Sequence, residues 1–161
     1  MKIVRACVLV FITLFGLVAN AQQQKNQLKY FSGEWVGDGE FANGKKISAD
    51  VSFKFQLDSS WVFYQHTDRP PNRYSAFSVW GYEKSSQKFI GNVFDNFGGN
   101  RRFVSPGWEG NKFVLTKDAT KAPCERFIYE KLDERSFKMT YEVSQDGNAW
   151  RMGDWLVFKK K

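Results

Sequence analysis

The chain predicts an all-β fold, a single up-and-down antiparallel barrel of about ten strands preceded by a short helical turn. Three observations predict it. Ile47, Ala49, Val51, Phe53, Phe55 and Leu57 alternate with Ser48, Asp50, Ser52, Lys54 and Gln56, the period-two pattern of a strand with one buried face. About ten such runs follow one another at roughly the 8–12-residue spacing of β-sandwiches and barrels. Gly33-Glu34-Trp35 stands at the head of the first run, where a Trp can plug one end.

The elements follow in order. Gln27 to Phe31 reads as one helical turn with Leu28 and Phe31 facing inward. Residues 35–41 form a glycine-rich strand. Asn43-Gly44 predicts a type I′ turn with both central residues at positive φ, so the first two strands pair antiparallel. Asp58-Ser59-Ser60 turns the chain into a strand over 61–67. Residues 68–73 form a loop, because Pro70-Pro71 cannot serve a central ladder. Strands follow at 75–82, 89–95, 101–105 and 112–116, with Asn96-Phe97-Gly98-Gly99-Asn100 as a hairpin tip. Residues 118–123 are a polar loop. Strands at 125–132, 136–143 and 149–158 close the chain. Consecutive hairpins with no long crossover make a meander, and pairing the first strand with the last removes both exposed edges. A barrel of more than eight strands has room inside for a ligand.

Parity assigns faces. Ile47 through Leu57 on the odd positions should point inward, as should Phe137, Met139, Tyr141 and Val143. Ser136, Lys138, Thr140 and Glu142 should face water. Trp35 is expected to cover the closed end, with its indole N–H on a main-chain carbonyl and Arg126 or Arg151 stacked on it.

Residues 1–21 read as a signal peptide. Lys2 and Arg5 precede an apolar run over 8–18, and Ala19-Asn20-Ala21 is a cleavage site. The expected mature chain is one domain, 22–161, exported to the periplasm or beyond. No later apolar stretch reaches membrane-spanning length. Cleavage removes Cys7 and leaves Cys124, so no internal disulfide is expected. Basic residues outnumber acidic ones 24 to 17, but they alternate with acids instead of forming the stripe that nucleic acid requires.

Nucleophile-elbow, zinc-protease, phosphate-loop and C-x-x-C signatures are all missing. A single histidine, His66, cannot build a zinc site, though one His can hold a haem iron. No cofactor is otherwise indicated. Candidate ligand contacts are strand residues whose i±2 neighbours are apolar. Asn92 lies between Ile90 and Phe94, Glu125 precedes Phe127 and Tyr129, and Asp154 shares parity with Met152 and Leu156. If inward, these polar groups need partners from protein, water or ligand. Tyr64, His66, Tyr129 and Tyr141 could add polar contacts, with Phe53 as apolar wall. Asp95 and Arg101 flank the Gly98-Gly99 tip and could pair across it.

Three motifs carry a resemblance. Gly33-Glu34-Trp35, Gly81-Tyr82-Glu83 and Phe94-Asp95-Asn96-Phe97-Gly98 resemble a bacterial lipocalin-like family of unknown function within the calycin superfamily, from about Tyr30 to the C-terminus. Gly33-x-Trp35-x-Gly37-x-Gly39 also resembles the start of nitrobindins. The resemblance implies a barrel with an internal pocket and, for nitrobindins, haem held by a late histidine. This chain has no histidine after His66. The expected function is binding of a small hydrophobic or amphipathic molecule. The alternatives are a barrel enzyme, such as an isomerase or a haem-dependent peroxide or nitrogen-oxide scavenger, and an envelope interaction protein with a packed core.

Overall fold

Alternation along the chain becomes a meander of antiparallel strands that returns to its own start. The computed structural model describes residues 26–119 and 122–161. The expected signal peptide, 1–21, lies outside the described residues. The strands are β1 (Gly33–Phe41), β2 (Lys46–Gln56), β3 (Trp61–Asp68), β4 (Ser75–Glu83), β5 (Lys88–Asp95), β6 (Asn100–Ser105), β7 (Trp108–Glu109), β8 (Lys112–Lys117), β9 (Cys124–Asp133), β10 (Ser136–Ser144) and β11 (Arg151–Lys160).

First and last strands pair as expected, from Trp35 opposite Lys160 to Phe41 opposite Asp154. At Gly39 the strands approach so closely that a Cβ would lie 1.8 Å from the Trp155 carbonyl oxygen. The ring closes a second time between β6 and β8, through Phe103 opposite Lys117 and Val104 opposite Thr116. The two-residue β7 pairs with β8 outside this ring. The result is a closed barrel of ten strands plus one short hairpin arm.

One end is sealed by aromatic packing. The helical turn over 26–31 drops Leu28 and Phe31 into the barrel, where they are 4% and 0% exposed. Phe31 occupies the axis, stacked on Phe53 at 5.1 Å and on Trp108 at 5.4 Å between ring centroids. Trp35 is fully buried beside it and donates its indole N–H to the Phe31 carbonyl at 2.8 Å. Offset and edge-on contacts of this kind add to the area they bury. The cation over Trp35 is Lys160, not Arg126 or Arg151, because β11 carries Lys160 opposite Trp35. Arg126 lies over Trp150 instead.

Parity holds along β2 from Ile47 to Phe53, all buried, with Lys54 exposed and Phe55 half-buried. Leu57 is a correction: it is 70% exposed. Gln56 pairs with Trp61, so the four residues between them form the turn, and Leu57 leaves the strand at positive φ. Ser136 is also buried rather than exposed, because its hydroxyl donates to the Asp133 carboxylate and Tyr30 donates to its carbonyl. Burial next to the Asp133 and Glu134 carboxylates pushes the Tyr30 hydroxyl up to about 12. The β1–β2 hairpin forms, but Gly44 alone takes positive φ. The Gly44 N–H bonds the Phe41 carbonyl, and the Phe41 N–H bonds that of Lys45. This is a three-residue turn with a glycine bulge, not a type I′ turn.

Candidate functional site

Opposite the aromatic plug, the barrel interior is a cavity of about 610 Å³. Its floor is Trp80, Tyr64, Tyr129 and Leu156, above the plug. Its mouth is framed by Phe41 and Lys45 on the β1–β2 turn, Pro71 to Tyr74 between β3 and β4, and Phe97 on the β5–β6 tip. The floor forms because β4 and β5 place Gly91 against the Trp80 ring, at 3.3 Å for an added Cβ, leaving the indole room to lie across the axis. The Trp80 indole N–H is satisfied by the Ser78 hydroxyl at 2.8 Å.

A polar row runs up the cavity wall on β3. Tyr64, His66 and Asp68 share one face at i, i+2 and i+4, and all three are buried. Asp68 can only accept, so His66 Nε2–H donates to it at 2.8 Å, and in the neutral imidazole Nδ1 accepts from the Tyr64 hydroxyl at 2.9 Å. The Tyr64 hydroxyl also hydrogen-bonds that of Tyr129 on β9. Burial pushes both tyrosine hydroxyls well above their ordinary range.

Asp154 faces this row from β11. It is the register partner of Tyr141 on one side and Phe41 on the other. Burial raises its carboxyl from 3.8 to about 6, reinforced by the Asp68 charge and opposed by His66. None of the hydrogen bonds among the described residues reaches it. The raised value means that the fold favours the protonated acid. Stability therefore falls as pH rises from about 4 to about 6, and stays lower above that. Asp154→Asn should gain about 2 kcal/mol at pH 7.5, after a discount for partial solvent access, and nothing at pH 3.5. Urea titrations at the two pH values check this, and an equal gain at both would contradict it.

A second cluster sits at the β6–β8 seam. Arg101 Nη2 donates to Asp95 at 2.6 Å and Nη1 to Glu125 at 2.7 Å. Glu125 also accepts from Lys117 at 2.6 Å and from the Tyr141 hydroxyl at 3.0 Å. Burial alone would raise Glu125, but these donors outweigh it and hold its carboxyl below the ordinary range. Burial beside Glu125 pushes the Tyr141 hydroxyl up. Arg101 Nε–H is buried without a hydrogen-bond partner among the described residues.

Of the residues expected to contact a ligand, Tyr64, His66, Tyr129, Tyr141 and Asp154 line the cavity. Glu125 stands behind the wall, bonded to Tyr141. Phe53 is buried but belongs to the plug, 5.4 Å from Trp80 and below the cavity floor. Asn92 is a correction: it points outward. The inward row on β5 is Phe89, Gly91, Val93 and Asp95, while Phe94 is 44% exposed on the outside. The outer faces of β3–β5 also carry Phe63 and Phe77, paired edge-on at 5.5 Å, so apolar residues occupy both faces there and parity alone misleads. Asp68 ends β3 instead of opening the loop, and the unbroken Tyr64-x-His66-x-Asp68 spacing is the signal that places it. The Asp95–Arg101 pair forms as expected, but in the cavity wall.

Haem does not fit His66 here, because both ring nitrogens are engaged, by Tyr64 and Asp68. Among the described residues no group of three His, Cys, Asp or Glu side chains is placed to hold a metal ion, and Cys124 is a half-buried free thiol. No helix among them is long and apolar enough to cross a membrane.

No family model and no curated protein sequence matches the chain. Among solved structures, Rv2717c from M. tuberculosis superposes with a TM-score of 0.62 at 12% identity, over 84% of this chain and 96% of that one. EF1p2_mFAP2b bound to DFHBI superposes with a TM-score of 0.48 at 10% identity, over 86% and 99%. The first likeness supports the closed antiparallel barrel.

Proposed function

We propose that the protein is an exported carrier or receptor that holds one small hydrophobic or amphipathic molecule inside its barrel. The observation that carries this reading is the 610 Å³ cavity, within the range of small-molecule sites, with aromatic walls and a few fixed polar groups. Export rests on the leader pattern over 1–21, and predicts a mature chain beginning at Gln22 by intact mass.

A neutral fluorescent probe, phenylnaphthylamine, tests the pocket. It should bind saturably at one site with enhanced emission. Ala76→Trp, which turns a buried wall residue opposite His66 into a large ring, should abolish that while leaving far-UV dichroism unchanged. Equal enhancement in the variant, or none in either protein, would contradict the reading.

The Tyr64–His66–Asp68 row, with Asp154 facing it, supports a second reading, an isomerase in which a ligand bound between them gives a proton to one side and takes one back from the other. That reading expects solvent deuterium to enter a bound enolisable ligand, and His66→Gln to stop it. Exchange at the same rate in His66→Gln would rule that reading out.

A further inference from the structure

The charges around the cavity do not cancel evenly. At the seam, Arg101 and Lys117 lie against Asp95 and Glu125, two cations against two carboxylates. Arg101 therefore spends both terminal nitrogens on protein carboxylates, so its charge is already matched and only its Nε–H is left over. Deeper in, Asp68 is met by His66 Nε2 at 2.8 Å. No side-chain hydrogen bond among the described residues reaches the Asp154 carboxyl. Lys45 and Arg73 also line the cavity, but both are exposed at its mouth. Among the described residues the interior thus sets two carboxylates, Asp68 and Asp154, against one imidazole, His66.

The rings around Asp154 matter as much as its charge. Tyr141 is its strand neighbour, and Phe41 flanks it from β1. The hydroxyls of Tyr74, Tyr129 and Tyr141 all feel its charge, and Phe127 lies tilted against Tyr141 with 5.0 Å between ring centroids. A carboxylate in a partly dry site lined by aromatic faces is the surrounding that an organic ammonium prefers, through an ion pair on one side and cation–π contact on the others.

Resting on the pocket reading, we propose that the ligand is an amphipathic amine, bound as its ammonium with Asp154 as counter-ion and its apolar part over Trp80. A carboxylate ligand of the same shape would place like charges against Asp154 and Asp68 and should be rejected.

Three probes of nearly one shape separate the possibilities: tryptamine, tryptophol and indoleacetate carry positive, neutral and negative heads. Calorimetry at pH 7.5 should rank tryptamine tightest, tryptophol about tenfold weaker, and indoleacetate weakest. Asp154→Asn keeps the size of the side chain, and should lower tryptamine affinity about tenfold while leaving tryptophol unchanged. Tryptamine affinity should also fall as pH drops through about 6, where Asp154 takes up its proton. The groups facing Asp154 in that titration are His66 and Asp68 on β3, Tyr141 on β10, Tyr129 on β9 and Tyr74 at the mouth. His66 gaining charge would act in the same direction, so His66→Gln is titrated in parallel and should retain the pH dependence. Indoleacetate binding tightest, tryptamine affinity unchanged by Asp154→Asn, or no binding of any of the three would each overturn the ammonium assignment. Phenylnaphthylamine is neutral, so its binding reports on the pocket whether or not that assignment survives.

Discussion

Phe53→Ala should destabilise the protein by about 3–5 kcal/mol. The ring is 1% exposed, and it touches Phe31 at 5.1 Å, Tyr64 at 4.7 Å and Trp80 at 5.4 Å. Its truncation leaves a hole between the plug and the cavity floor, where neighbours on fixed strands cannot collapse. Phe55, two residues along β2 and half-buried, should cost clearly less. Guanidinium titration of both variants measures the difference. A loss near 1 kcal/mol for Phe53→Ala, with altered phenylnaphthylamine affinity, would mean that the ring borders the cavity after all.

Arg101→Met should cost about 3 kcal/mol at pH 7. It keeps the length of the stem but removes the cation from Asp95 and Glu125, whose side chains are only 6% and 7% exposed. Breaking a buried pair from one side leaves carboxylates with fewer donors, which is more costly than never having had the pair. Lys117 still serves Glu125, so the loss falls most heavily on Asp95. The site also lies at the β6–β8 seam, where two residue pairs close the ring, so hydrogen exchange in β6 and β8 should quicken ahead of the rest. Glu125, with its carboxyl held low, contributes stability that is present above its unfolded value and lost as pH falls through its folded one. In Arg101→Met that acid-side loss should begin at higher pH. Adding Asp95→Asn to Arg101→Met should recover part of the stability. If Arg101→Met is neutral, the cluster is solvated and the closure at this seam rests on main-chain pairing alone.

Period-two alternation made the barrel legible, because β2 and β10 have one polar and one apolar face and a slip would reverse both. The turn at Asn43-Gly44 was legible as a hairpin but not in type, since Asn43 accepts either sign of φ and the register of β1 on β2 decides. Phe31 was seen facing inward, yet its place on the axis depends on Trp108, a residue far away in sequence. The site was partly readable. Tyr64, His66, Tyr129, Tyr141 and Asp154 sit on strands of known parity. Asn92 was misread because β5 carries large apolar residues on both faces. Asp68 was lost to the proline-rich loop beside it, although it continues the row of Tyr64 and His66. The Asp95–Arg101–Glu125 cluster needs the ring to close before its members meet.

The central claim is that the barrel interior is a ligand site rather than a sealed core. Native mass spectrometry of the mature protein purified from its own host tests it most directly, alongside Ala76→Trp from the same host and under conditions that preserve the phenylnaphthylamine complex. The account predicts a second species, heavier by one small molecule, that disappears on unfolding and is absent from the variant. The bare polypeptide mass alone in the wild-type protein, with the dye complex intact in the control, would contradict it.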